Sequence, residues 1–186
     1  AFGHPVADTP CLPEQSIRNL RVSLLNEELG EFCAAHREQN RVEMADGLAD
    51  MAVIIAGTMV AYGIVPGDGH FDSPYEDGCE APVDGGDPNA LPLRLVQSFN
   101  HYALAEFKND LNEIKSTLMT LLMDVCGTAF NLRIPLNAVF AEVHRSNMSK
   151  IMPDGSVRYR SDGKIQKPDN WQPPNIEAIL AAYDDV

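Results

Sequence analysis

Two apolar helical patterns joined by a short polar break organise the N-terminal third of the chain. The first sets Ile17, Leu20, Leu24 and Phe32 on one stripe. It predicts a helix that opens at Pro13, carries Glu14 in its first turn and runs to about Arg37. The second predicts a helix from about Arg41 to Tyr62, with Gly63 as its C-terminal cap. From Met51 onward that helix is apolar on nearly every side, as expected of a central helix or one facing another subunit. Later, Leu111, Ile114, Leu118, Leu121, Val125 and Ala129 step by three and four, although helical character returns already at about Leu91. This third helix ends near Arg133. Pro135 opens a fourth, from Leu136 to about Lys150, with Leu136, Val139, Phe140 and Val143 as its apolar positions. No alternating β-branched run competes for a sheet core. The expectation is an all-α fold, a four-helix bundle forming one domain over residues 1–186, its helical core spanning about 14–150.

Three stretches break the helical pattern. Residues 1–13 carry Pro5, Pro10 and Pro13 and predict an irregular arm, from which His4 could approach a ligand. Residues 66–90 hold seven acids, five Gly and no Lys or Arg, without a helical period. This predicts a long acidic loop insert, a solvated surface loop in preference to a lid closing through Phe71 or Tyr75. In the tail, residues 151–186, turn signals at Pro153-Asp154-Gly155 and Ser161-Asp162-Gly163 flank Val157–Arg160 and predict a small hairpin. A last short helix is expected from Ile176 to Tyr183. The lone Trp171 is expected to be buried against the body, with stacking on a base as the less common fate.

The polar residues inside the first two helical patterns change the picture. Glu27, Glu28 and Glu31 share a helix face, as do Glu43, Asp46 and Asp50. If the chain reverses between His36 and Asn40, facing positions sum to about 77. Glu31 then sits opposite Asp46, and Glu27 opposite Asp50. Such rows could be solvated helix faces. Interleaved as they are with Leu24, Leu25, Leu29, Phe32, Leu48, Met51 and Ile54, they are expected to crowd in a partly buried place. Crowded carboxylates need a compensating cation. Oxygen-only ligands suit a hard ion, Mg²⁺ or Mn²⁺. Gly30, which lowers helix propensity by about 1 kcal/mol relative to Ala, would let a partner helix or ligand approach.

Glu27-Glu28-x-x-Glu31 followed by Glu43-x-x-Asp46 resembles the paired motif of the MazG-like all-α nucleoside triphosphate pyrophosphohydrolases. That superfamily includes dimeric dUTPases, dCTP pyrophosphatases and phosphoribosyl-ATP pyrophosphohydrolase. The resemblance implies hydrolysis of a nucleoside or deoxynucleoside triphosphate to the monophosphate and pyrophosphate, with two or more Mg²⁺ or Mn²⁺ ions. It implies that Glu28, Glu31, Glu43 and Asp46 hold the principal ion. Glu27 is then the candidate general base, with Asp50 helping to hold a second ion. Asn147-x-x-Lys150 matches the family's sugar- and phosphate-contacting pattern, although a Lys at a helix C-terminus also simply complements the helix dipole. The resemblance also implies a homodimer or tetramer. The Ser146–Lys150 ending and basic tail look more like the phage-associated and house-cleaning branch, such as the phage-type MazZ, which acts on dGTP. Phosphoribosyl-ATP pyrophosphohydrolase is the alternative.

Charge refines this. From Arg145 to Lys167 there are six basic residues against two acids, in a chain of net charge −13. A basic tail beside acidic rows could grip a triphosphate through Lys164 and Lys167. The overall negative charge argues against nucleic-acid binding. The best apolar run, Met51 to Tyr62, is too short for a bilayer, so no membrane partner is expected. Four scattered cysteines, Cys11, Cys33, Cys79 and Cys126, make no metal-type spacing and suit reduced thiols and a cytoplasmic location, the host cytoplasm if the protein is phage-encoded. His144 has no ligand partner at metal spacing, so it reads as structural or as a weak substrate contact. A di-iron bundle would need Glu-x-x-His pairs that the chain lacks. A non-catalytic helical interaction module would need no inward acids.

Overall fold

A computed structural model describes residues 2–65, 90–152, 154–159 and 165–185. Six helices lie among them: α1 (Gln15–Glu38), α2 (Arg41–Tyr62), α3 (Leu91–Lys108), α4 (Leu111–Asn131), α5 (Leu136–Met148) and α6 (Ile176–Asp184). The fold is all-α, as expected, but residues 91–133 form two helices where one was predicted. Asn109 adopts a left-handed conformation at φ 57°, and the Asp110 carboxylate accepts from the backbone of Asn112 and Glu113. A left-handed stop followed at once by a new N-cap reverses the chain, and α3 folds back on α4. The acidic loop, residues 66–89 of it, lies outside the described residues, together with Phe71, Tyr75 and Cys79. So do Pro153 and the Ser161–Gly163 turn. What the structure describes of the tail hairpin is one antiparallel bridge between Tyr159 and Ile165.

The α1–α2 hairpin is the centre of the bundle. Gln39 closes α1 in the left-handed region at φ 56°, and the Asn40 side chain caps α2 by accepting from Glu43 N at 3.3 Å. Leu25, Leu29 and Phe32 on α1 are buried with Leu48, Met51 and Ile55 on α2. Full burial of each such side chain contributes roughly 1.5–3 kcal/mol. Close approach is set at Gly47, where a Cβ would meet Phe32 at 3.3 Å, and at Gly57, where it would meet the Arg21 guanidinium at 3.0 Å. At Gly30 a side chain would meet open space within this chain. The facing positions sum to 78 or 79 on this seam, within a residue or two of the predicted register.

α2 as a whole is long and apolar enough to span a bilayer by length and composition, a wider stretch than the Met51–Tyr62 run suggested. It is instead packed by α1, α4, α5 and α6, which accounts for its apolar character. α6 docks on the bundle through Ile176 and Leu180. Its start is held by Glu142 of α5, whose carboxylate accepts from Arg145 and from Asn175 N. Those bonds hold Glu142 well below the usual carboxylate range, at about 2. Arg41 reaches the far end of α6 through Asp184.

Below the apolar layer lies a buried polar network. Arg18 donates to the Glu106 carboxylate at 2.9 Å, to the Glu106 carbonyl at 2.5 Å and to Asn109 Oδ1 at 2.6 Å. Tyr62 donates to the other Glu106 oxygen at 2.5 Å. α1, α2 and α3 are thus tied through one carboxylate. Breaking a buried pair by removing one partner typically costs about 3–5 kcal/mol, whereas replacing both with apolar groups costs far less. Glu106→Ala is therefore expected to destabilise the fold by about 3 kcal/mol or more in urea unfolding. The double variant Arg18→Met/Glu106→Leu should recover much of that loss.

Candidate metal centre

The acids predicted from sequence come together along one edge of the α1–α2 seam, with the C-terminal turn of α5 laid across them. α1 supplies Glu27, Glu28 and Glu31, and α2 supplies Glu43, Asp46 and Asp50. Glu28, Asp46 and Asp50 are half-buried, whereas Glu27, Glu31 and Glu43 are exposed.

Burial and crowding show directly in the acidity of these groups. Glu28 is raised to about 8, first by loss of hydration and then by the charges of Asp50, Glu31, Glu27 and Asp46. Asp50 is raised to about 6 by burial and by Asp46, with Lys150 and a hydrogen bond from Asn147 opposing the shift. Asp46 is raised by burial, then by Glu43 and Glu31. Both Glu28 and Glu31 couple to Asp50 across the seam, whereas the simple register placed Glu27 opposite it; Glu27 lies on the exposed side of α1.

Asn147 and Lys150 enter from α5 as expected. Lys150 donates to Asn147 Oδ1 at 2.6 Å. Its own pKa is lowered, chiefly by burial, with Asp50 opposing and Lys167 adding to the shift. Lys167 is exposed and stands over the Trp171 ring, 3.6 Å from its centroid. It also borders an open cleft of about 480 Å³ lined by Met152, Arg158, Gln166 and Asn170. That cleft lies in the tail, not over the acids. Lys164 falls outside the described residues. Trp171 is half-buried, its indole Nε1 enclosed without an acceptor. His144 stacks on Phe140 with the rings nearly parallel, a structural contact.

The donor set fits a hard divalent ion in chemistry: it is all oxygen, and burial and mutual repulsion destabilise its anions. Among the described residues no three acids converge into a preformed ligand cage. Sequence reasoning missed the buried cations Arg18 and Arg21, and Asp124, which accepts from Arg94 and Ser98. A charged residue on the core stripe of an otherwise apolar helix was the available signal.

Because Glu28 titrates near 8 when folded and near 4.5 otherwise, the folded state holds the extra proton across that window. Its stabilising contribution is complete below about 4.5 and is lost as the pH rises through 8. In EDTA, thermal stability should therefore fall between pH 5 and 8.5, and Glu28→Gln should flatten that slope. An unchanged slope in the variant would remove Glu28 as its source.

Residues 1–72 match the family described as phosphoribosyl-ATP pyrophosphohydrolase. The chain is also similar to an uncharacterized protein, L479, of Acanthamoeba polyphaga mimivirus, with 27% identity over 168 residues. That alignment covers 81% of this chain and 66% of the viral protein, slightly under two thirds of its length. No solved structure matches the chain. The paired acidic motif on α1 and α2 thus lies within a match to the phosphoribosyl-ATP pyrophosphohydrolase family, of the MazG-like all-α superfamily, that spans residues 1–72.

Proposed function

We propose that this protein is a divalent-metal-dependent pyrophosphohydrolase that cleaves a nucleoside or deoxynucleoside triphosphate between its α- and β-phosphates. The observation that carries this reading is the meeting of Glu28, Glu31, Asp46 and Asp50 with Asn147 and Lys150 at one seam, where burial leaves the acids short of positive charge. Glu28, Glu31, Glu43 and Asp46 would hold the principal ion, Mg²⁺ or Mn²⁺, and Asp50 would help to hold a second. Ions held there would supply charge neutralisation of the phosphates and a lowered pKa for the attacking water.

The chain's own residues do the remaining work. Glu27 stands next to Glu28 at the exposed edge, where a base can take a proton from water and release it to solvent. The Lys150 ammonium offers charge to the phosphates, and its bond to Asn147 orients it. Asn147 would contact the sugar. Lys167 would extend the cationic side along the tail, with Lys164, outside the described residues, as the further candidate. The apolar floor of Leu25, Leu29 and Leu48 excludes water beneath the acids, so charge interactions above it act in a medium less screening than bulk water.

A second reading, phosphoribosyl-ATP as the substrate, is favoured by the family that residues 1–72 match. The triphosphate chemistry is the same in both. A role in nucleotide-pool control, with dGTP in a phage pathway as its narrowest form, belongs to the first reading. A homodimer or tetramer is consistent with exposed Leu20, Leu104 and Phe107.

Pyrophosphate release should be measured with Mg²⁺ on the common NTPs and dNTPs and on phosphoribosyl-ATP. Glu31→Ala is expected to lower turnover about 10²-fold or more, and EDTA to abolish it. Lys150→Met should raise KM more than it lowers kcat. Silence on every substrate, with no Mg²⁺ binding, would leave the acids as a solvated face of a non-catalytic module.

A further inference from the structure

Just beyond Lys150 the tail folds around the cleft of about 480 Å³, a volume usual for a small-molecule site. Backbone bonds fix its walls. On one side Met152 N donates to Ser156 O and Gly155 N to Met152 O, both at 2.8 Å. On the other, Trp171 N donates to Pro168 O at 2.9 Å. Gln166 N donates to Arg158 O at 2.7 Å and joins the two walls. The Tyr159 hydroxyl donates to Phe2 O, which ties the hairpin to the N-terminal arm. The lining is too varied for a simple anion trap. Met152 and Pro168 offer apolar surface, Gln166 and Asn170 offer amides that both donate and accept, and Asp169 offers a carboxylate that accepts. Arg158 stands 3.7 Å from one Asp154 oxygen, and the other accepts from Ser156. Lys167 lines the same cleft, with its ammonium over the Trp171 ring.

The place of the cleft matters as much as its lining. Met152 follows Lys150 by two residues, at most about 7 Å of chain. Lys167 acts electrostatically on Lys150, and Lys150 is coupled to Asp50 and Asp46. The acids, Lys150, Lys167 and the cleft thus follow one another along the surface. A phosphate chain held at the acids passes Lys150 and then Lys167, and what it carries arrives at the cleft. Base edges present donors and acceptors side by side, which amide side chains match. Resting on the pyrophosphohydrolase reading above, we infer that the tail cleft receives the nucleoside half of the substrate. Gln166, Asn170 and Asp169 hydrogen-bond the base, Met152 and Pro168 cover its apolar surface, and the sugar lies at the mouth beside Asn147. Lys167 exchanges the Trp171 ring for a phosphate oxygen, since a cation–π contact at an exposed site is weaker than a charge-assisted bond to phosphate.

Trp171 is the chain's single tryptophan, so its fluorescence reports on this cleft. The whole chain in EDTA is titrated with the common nucleoside and deoxynucleoside monophosphates while the Trp171 lifetime is read. At least one should change the lifetime saturably, with a midpoint on the order of 1 mM or lower. Inorganic pyrophosphate at equal ionic strength should act far more weakly. Gln166→Ala/Asn170→Ala, at two exposed positions, should raise the nucleotide midpoint about tenfold or more. Asp169→Asn carries the same requirement if the double variant does not fold. A pyrophosphate midpoint equal to that of the nucleotides makes the cleft a plain anion trap and overturns the assignment. So does a lifetime that no nucleotide changes, or a variant midpoint equal to wild type. Pyrophosphate release with Mg²⁺ alongside an unresponsive Trp171 keeps the hydrolase and moves the nucleoside elsewhere. A responsive Trp171 that depends on Gln166 and Asn170, without turnover of any substrate, keeps the cleft as a nucleotide site and removes the hydrolase.

Discussion

The structure depends on how charge is placed on the α1–α2 seam. Two helices packed through Leu25, Leu29, Phe32, Leu48 and Ile55 cannot move apart without exposing the centre of the core. The acids that flank this apolar stripe are therefore held along one seam, close enough to raise one another although no three of them converge. Packing supplies the free energy and the acids absorb it as strain, visible in a Glu28 that holds its proton to about pH 8. A site poised in this way gains from any cation that enters it. Stability and ligand demand are thus two consequences of one packing arrangement.

The same seam carries both signs. Its one end is rich in carboxylates and receives Lys150 from α5, and its other end holds Arg18 and Arg21 with one acid between them among the described residues. Separating the charges keeps the two groups from cancelling each other directly. It also divides the work of the remaining helices. α5 completes the acidic end, and α3 completes the cationic end through Glu106 and Tyr102. α4 serves chiefly as packing for α3 and α2, anchored by buried Leu118, Leu121 and Val125.

How much was legible depends on the range of the interaction involved. The acids on α1 and α2 were readable because helical periodicity is local and their spacing alone puts them on shared faces. The break between α3 and α4 was also present locally, as Asn109-Asp110 with Glu113 three residues beyond the cap, but the strong apolar period from Leu111 drew attention away from it. Close approach inside the bundle is set by the inward glycines Gly47 and Gly57, which only the packing of the helices identifies. Glu27 and Glu28 could not be told apart, because adjacent positions lie about 100° apart around a helix and only packing decides which of them is turned inward.

By itself the sequence determined the helical class, the hairpin, the acidic rows and the Asn147–Lys150 pair, since each rests on contacts within a few residues of chain. Only the tertiary structure decided which carboxylates lose their water, that α5 brings Lys150 to Asp50, and that Arg21 is buried beside Tyr62 and Tyr102. These are properties of distances between segments up to about a hundred residues apart. Burial, charge coupling and the count of available hydrogen-bond partners exist only once those segments have met.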